Sequence, residues 1–283
     1  MQSRSALIWV AIGGFVLGIA TVVLILLLRG SQASEAGQVA NTVLAAPRPP
    51  VARPAAPPAT IRARSAREQL VAAFAAAFGG GRATREVDRV SYTYRPGGLI
   101  WIGERAILVS PGANRDDCHA CAGTLAIHYL VAAGDGFAMR GEWLTGGGFA
   151  DWGRPPEWRF SSELAGRPML RTQGGGGNQG IFCSGFAFYD FEPNGPREIA
   201  RVQTAFSDNG YRVPEAGIPP TEVEGAIRNI VPDRSFEMAY TIRRAVLRGP
   251  SFAPGRAERV IERYELRRGR YVLTTGESRV PIC

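Results

Sequence analysis

Two of the four cysteines and one of the two histidines of this 283-residue chain fall within four positions, in the stretch "NRDDCHACAG" (residues 114–123). Cys118, His119 and Cys121 could serve a metal, a redox couple, a haem or a disulfide. Covalent haem attachment needs a histidine directly after the second cysteine. Here Ala122 follows Cys121 and His119 stands between the cysteines, so haem is excluded. A zinc site would draw on Cys118, Cys121, His128 and Cys183, a soft nitrogen and sulfur set, but no second Cys-x-x-Cys completes the usual pattern. A Cys-x-x-Cys dithiol is activated when a helix N-terminus lowers its thiol pKa, and "CAGTLAIHYL" leads into a strand, without that dipole. The remaining reading is structural: an even set of four, Cys118, Cys121, Cys183 and Cys283, pairing as disulfides in an oxidising compartment. Of the three possible pairings, Cys118–Cys121 with Cys183–Cys283 is one, and the other two join the motif to the later cysteines.

Other chemistries are narrower still. The chain has no lysine; all 33 basic residues are arginine. That removes Walker A nucleotide binding, Schiff-base catalysis and pyridoxal phosphate. No Gly-x-Ser-x-Gly elbow and no His-Glu-x-x-His occurs. Asp116 and Asp117 are adjacent, which suits a turn better than the two faces of a sugar. The sequence therefore names no catalytic residue and no cofactor, and leaves open whether the protein is an enzyme, with non-catalytic the preferred reading. The glycine-rich stretches "WLTGGGFADWGRPPEWRF" and "TQGGGGNQG" read as irregular loops with buried tryptophans. Their alternative use is a groove lined by Trp152, Trp158, Asn178 and Gln179.

The elements that position these residues begin after a long preamble. Residues 6–28 form an uncharged run of 23 residues. A hydrocarbon core of ~30 Å needs about 20 apolar residues in a helix, so this run is expected to span a bilayer. Its length exceeds that of a signal-peptide core. Residues 29–65 follow as a tether rich in Pro, Ala and Arg, extended in polyproline II. The formal charge of +8 shrinks to +3 over residues 66–283, where 27 arginines face 24 acids. So even a balance lacks the electrostatic footprint of a nucleic-acid binder. Arginines 243, 244, 248, 256, 259, 263, 267, 268 and 270 crowd the last hairpin and read as a solvated strand face.

Residues 66–283 are expected to form one α+β domain, mainly antiparallel. "SAREQLVAAFAAAFGG" (65–80) predicts a helix, with Ser65 and Glu68 as a capping box and glycines as its stop. Thr221 and Glu224 suggest a second capping box and a short helix over 222–231, ended by Pro232. Strand–turn–strand units centre on Gly103-Glu104, Gly134-Asp135-Gly136, Pro193-Asn194-Gly195 and Gly269, which predicts a hairpin-rich meander.

"DDCHACAG", "DWGRPPEW" and "GGGGNQG", in this order, resemble a group of uncharacterised bacterial membrane-anchored envelope proteins. The likeness covers residues 99–190 and implies export and a β-rich domain; it brings no activity. The combined expectation is a single-pass inner-membrane protein: anchor 1–28, tether 29–65, and periplasmic domain 66–283. Its partner would be an envelope protein or polymer, with no nucleic acid. The rival is a periplasmic redox, metal or catalytic protein using residues 118–121.

Overall fold

A computed structural model describes residues 60–80, 82–87, 89–114, 122–146, 153–210, 218–249 and 251–281. The chain divides into two units, Met1–Ala55 and Ala56–Cys283, and every described residue belongs to the second. Residues 60–65, placed in the tether by sequence, are part of this fold. Ile61 opens a 3-10 turn, Ile61–Ala63, and is fully buried. Arg62 lies 4.0 Å over the Trp101 ring and donates to the Gly103 carbonyl.

Helix α1 (Ala66–Phe78) starts where the sequence predicts. The Ser65 side chain accepts from the Glu68 N–H, and the Glu68 carboxylate accepts from the Ser65 N–H. Gly79, at φ +80°, turns the chain out of the helix in the left-handed conformation that glycine adopts without a Cβ penalty. Its buried face is Ala73, Phe74 and Ala77.

The first sheet holds β1 (Ala83–Val87), β2 (Val90–Tyr94), β3 (Gly98–Ile102), β4 (Arg105–Asn114), β5 (Thr124–Ala133) and β6 (Gly136–Gly146). Its order is β1-β2-β4-β5-β6, with β3 pairing the first half of β4. The second sheet holds eight strands: β7 (Glu157–Ser161), β8 (Met169–Asn178), β9 (Ile181–Glu192), β10 (Gly195–Ser207), β11 (Thr221–Val231), β12 (Ser235–Arg244), β15 (Ala257–Arg267) and β16 (Arg270–Leu273). They pair in chain order, an antiparallel meander. Between β12 and β15 a separate hairpin, β13 (Val246–Arg248) with β14 (Ser251–Ala253), stands as its own two-stranded sheet.

Three hydrophobic cores define the layers. Helix α1 packs on one face of the first sheet through Phe74, Leu108, Ala126 and Leu130. The opposite face, with Ile107, Val109, Ile127 and Tyr129, meets Leu170, Ala187 and Tyr189 of the second sheet. Strands β4 and β5 are thus covered on both sides, which explains their continuous apolar runs. The second sheet curls around a third core that includes Phe186, Phe188, Phe236, Met238 and Tyr240.

Four expectations are corrected. The α+β class gives way to a nearly all-β fold, with one α-helix among the described residues. The predicted helix over 222–231 is strand β11. Val223 points into the core, and Gly225 leaves room for the Tyr240 ring, whose Cδ1 a Cβ would meet at 2.4 Å. Glycines 174–177 are not a loop but the second half of β8, paired with residues 182–185 of β9. Finally, no helix among the described residues is long and apolar enough to cross a membrane. The transmembrane helix and the single-pass inner-membrane placement are therefore not supported, and residues 6–28 lie outside the described residues.

The four predicted hairpins are present. Ile102 pairs Arg105, Ala133 pairs Gly136, Glu192 pairs Gly195, and Arg267 pairs Arg270, each across a two-residue turn.

Candidate binding groove

Cys118, His119, Cys121, Trp152 and Cys283 lie outside the described residues. The flanks of the cysteine motif are held in place. The Asn114 N–H donates to the Gly153 carbonyl at 2.8 Å, and the Gly123 N–H to the Arg154 carbonyl at 3.1 Å. The remaining proposed metal ligands do not converge. His128 sits on β5 under helix α1, its ring edge-on to Phe78 at 4.8 Å. Cys183, on β9, packs against the core inside the curled sheet. The core between the two sheets separates them, so they cannot share an ion. No cluster of three or more His, Cys, Asp or Glu among the described residues could hold a metal. No disulfide pair is found among the described residues, so the expected pairing is not supported there; Cys183, the one cysteine described, is nonetheless disulfide-bonded rather than free.

The concave surface lies along β7, β8 and the start of β9. Two hollows, of about 170 Å³ and 320 Å³, share Glu157 and Gln173 and so form one groove. Trp158, Arg159 and Arg171 line the smaller hollow; Arg154, Pro155, Pro156, Gly174, Gly175, Phe182 and Ser184 line the larger. Its floor is flat because β8 carries glycine there. A Cβ on Gly175 would stand 2.7 Å from Ser184 Cβ and 3.1 Å from the Phe182 ring. The ring lies across the glycine strand and stays 47% exposed, unusual for a phenylalanine beside a core. The Ser184 hydroxyl is 3.1 Å from that of Thr204.

Of the groove predicted from sequence, Trp158 lines the smaller hollow, packed on Gly98. Asn178 and Gln179 do not join it. Trp158 pairs with Thr172, and Asn178 lies six residues further along β8, about 20 Å away at strand rise. Phe182, Arg154, Gln173 and Ser184 were missed, because only the β8–β9 register brings them together. The one available signal was an aromatic residue four positions after the end of a glycine-rich strand.

Buried ionisable groups lie away from the groove. His128 is wholly buried, with Nε2 3.3 Å from Glu142 Oε1 but not aligned for a hydrogen bond. Glu142 is ion-paired with Arg85, which lies over the Phe78 ring. Burial lowers the His128 pKa and Arg85 adds to this, while Glu142 opposes them. Burial pushes the Tyr94 phenol up to about 12. Inside the curled sheet the Glu262 carboxylate, 2% exposed, accepts from the Tyr264 hydroxyl, the Ser278 hydroxyl and the Arg279 N–H. Tyr240 reaches across Gly225 to donate to the Gln203 carbonyl at 2.9 Å. On the outer face, Arg243, Arg244, Arg263 and Arg267 each pair with a glutamate, so the arginine-rich end is a laddered polar surface.

No family model matches this chain, and no curated protein or solved structure is significantly similar to it.

Proposed function

We propose that this protein is a non-catalytic binding module whose groove holds a segment of a glycan chain. The observation that carries this reading is the exposed Phe182 ring lying over the glycine floor of β8. An aromatic face of this kind accepts the C–H face of a pyranose, while the planar heads of Arg154, Glu157 and Gln173 meet its hydroxyls. Two features favour binding over catalysis. Glu157 is the only carboxylate among the described groove residues, and glycoside hydrolysis ordinarily needs two. Ser184 faces a second hydroxyl rather than a base.

A glycan array followed by titration calorimetry with the best ligand tests this. Phe182→Ala is expected to weaken binding by tenfold or more while leaving the melting temperature nearly unchanged. Binding to no glycan, preference for peptides alone, or undiminished affinity in Phe182→Ala would each overturn it.

A further inference from the structure

Beyond β16 the chain doubles back through the open side of the curled sheet. Thr274 donates from N–H and hydroxyl to the Arg263 carbonyl, and the Arg263 N–H donates to the Thr275 hydroxyl. Residues 276–281 then run from β15 to β10 without joining any strand ladder. Five contacts hold them, one of them the ion pair of the Arg279 guanidinium with Glu258 of β15 at 2.5 Å. The Ser278 hydroxyl donates to Glu262 Oε1 at 2.8 Å, and the Arg279 N–H to the same oxygen at 3.0 Å. Val280 is buried to 6% exposure in the third core. Gln203 Nε2 donates to the Pro281 carbonyl at 2.8 Å.

This is the way a receptor holds a peptide: backbone N–H and C=O are read by side chains, one hydroxyl is recognised, and one apolar side chain is pocketed. The receptor side is costly to leave empty. Glu262 is nearly inaccessible, and without Ser278 and Arg279 its carboxylate would keep only the Tyr264 hydroxyl. A buried charge stripped of its partners is strongly destabilising. An ordinary core-facing strand position would hold an apolar residue here.

We propose that β10 and β15 form a peptide-binding site, distinct from the β7–β9 groove, that in this structure is filled by residues 276–281 of its own chain. Its ligand class is an extended peptide of the pattern hydroxyl–basic–β-branched–proline, the basic side chain pairing with Glu258 as Arg279 does. Glu262 recognises the hydroxyl and the following N–H, the core accepts the β-branched side chain, and Gln203 takes the final carbonyl.

Hydrogen exchange on the full chain is the first test. Amides of residues 276–280 are expected to exchange at least 100-fold faster than those of β12 and β15, showing release without global unfolding. Exchange at the global rate would overturn the proposal. The second test empties the site in the full chain with Arg279→Pro and Val280→Asp. A fluorescent, end-blocked peptide of sequence GESRVP is then titrated in. Saturable binding that falls tenfold or more on adding Glu262→Gln supports the site, and no binding to a folded emptied chain sinks it. If the emptied chain does not fold, the exchange measurement decides alone.

Discussion

Gly225 shows how one missing side chain sets a strand. It stands on β11 beneath Tyr240, whose hydroxyl crosses to the Gln203 carbonyl on β10, so three strands are tied through one ring. A branched side chain there would force the ring off its acceptor. Overpacking of this kind costs about 1–3 kcal/mol. Gly225→Val should therefore lower the melting temperature, by roughly 2–4 °C per kcal/mol for a domain of this size. Calorimetry that finds no change would refute the packing account. The same residue explains a misreading of the sequence. Thr221 and Glu224 imitate a helix start, and nothing local reveals that Gly225 faces a tyrosine fifteen residues on. The groove was hidden for the same reason. Phe182 and Gly175 meet only through the β8–β9 register, whereas Trp158, flanked by prolines and charge, could be suspected from sequence.

At the scale of elements, the turns were the most legible part. Glycine, asparagine and aspartate at two-residue turns fix their conformation locally, and all four predicted hairpins close there. Helix α1 was legible because its capping box and its glycine stop are local as well. Its docking was not, since it depends on the apolar face of β4 and β5 and on a polar cluster at its edge assembled from β1, β5 and β6. That cluster has a pH signature. His128 faces Arg85 from β1, Glu142 from β6 and the Phe78 ring of the helix, and its folded pKa lies below the unfolded value of about 6.5. Below about 6.5 the unfolded chain binds the proton first. Stability is therefore full above that pH and declines as pH falls toward the lower folded value. Urea midpoints measured between pH 7.5 and 5 should drop in the wild type and drop less in His128→Gln. Equal slopes would mean that His128 is not the titrating group.

For the molecule as a whole, the fold reaches back into what composition marks as linker. Ile61 is fully buried, Gln69 donates to the carbonyls of Arg62 and Arg64, and Arg64 pairs with Asp135. Proline and alanine content alone could not show this, because the anchoring is tertiary. A chain beginning at residue 60 should be more stable than one beginning at residue 66. Burying one isoleucine contributes about 1.5–3 kcal/mol, and loss of the Ser65 cap adds about 1 kcal/mol. Denaturant unfolding of the two chains measures the difference, and coincident curves would place the boundary at 66 after all.

The β13–β14 hairpin lies on neither sheet, and the strands on either side of it are already neighbours, with Arg243 paired to Ala257. Everything from 245 to 256 is thus an excursion between two adjacent strand ends that a short turn could join. A fluorophore, an affinity tag or an entire inserted domain placed there would leave the layered cores, the glycine-floored groove and the 276–281 segment as they are. The molecule carries its own handle for attachment and immobilisation.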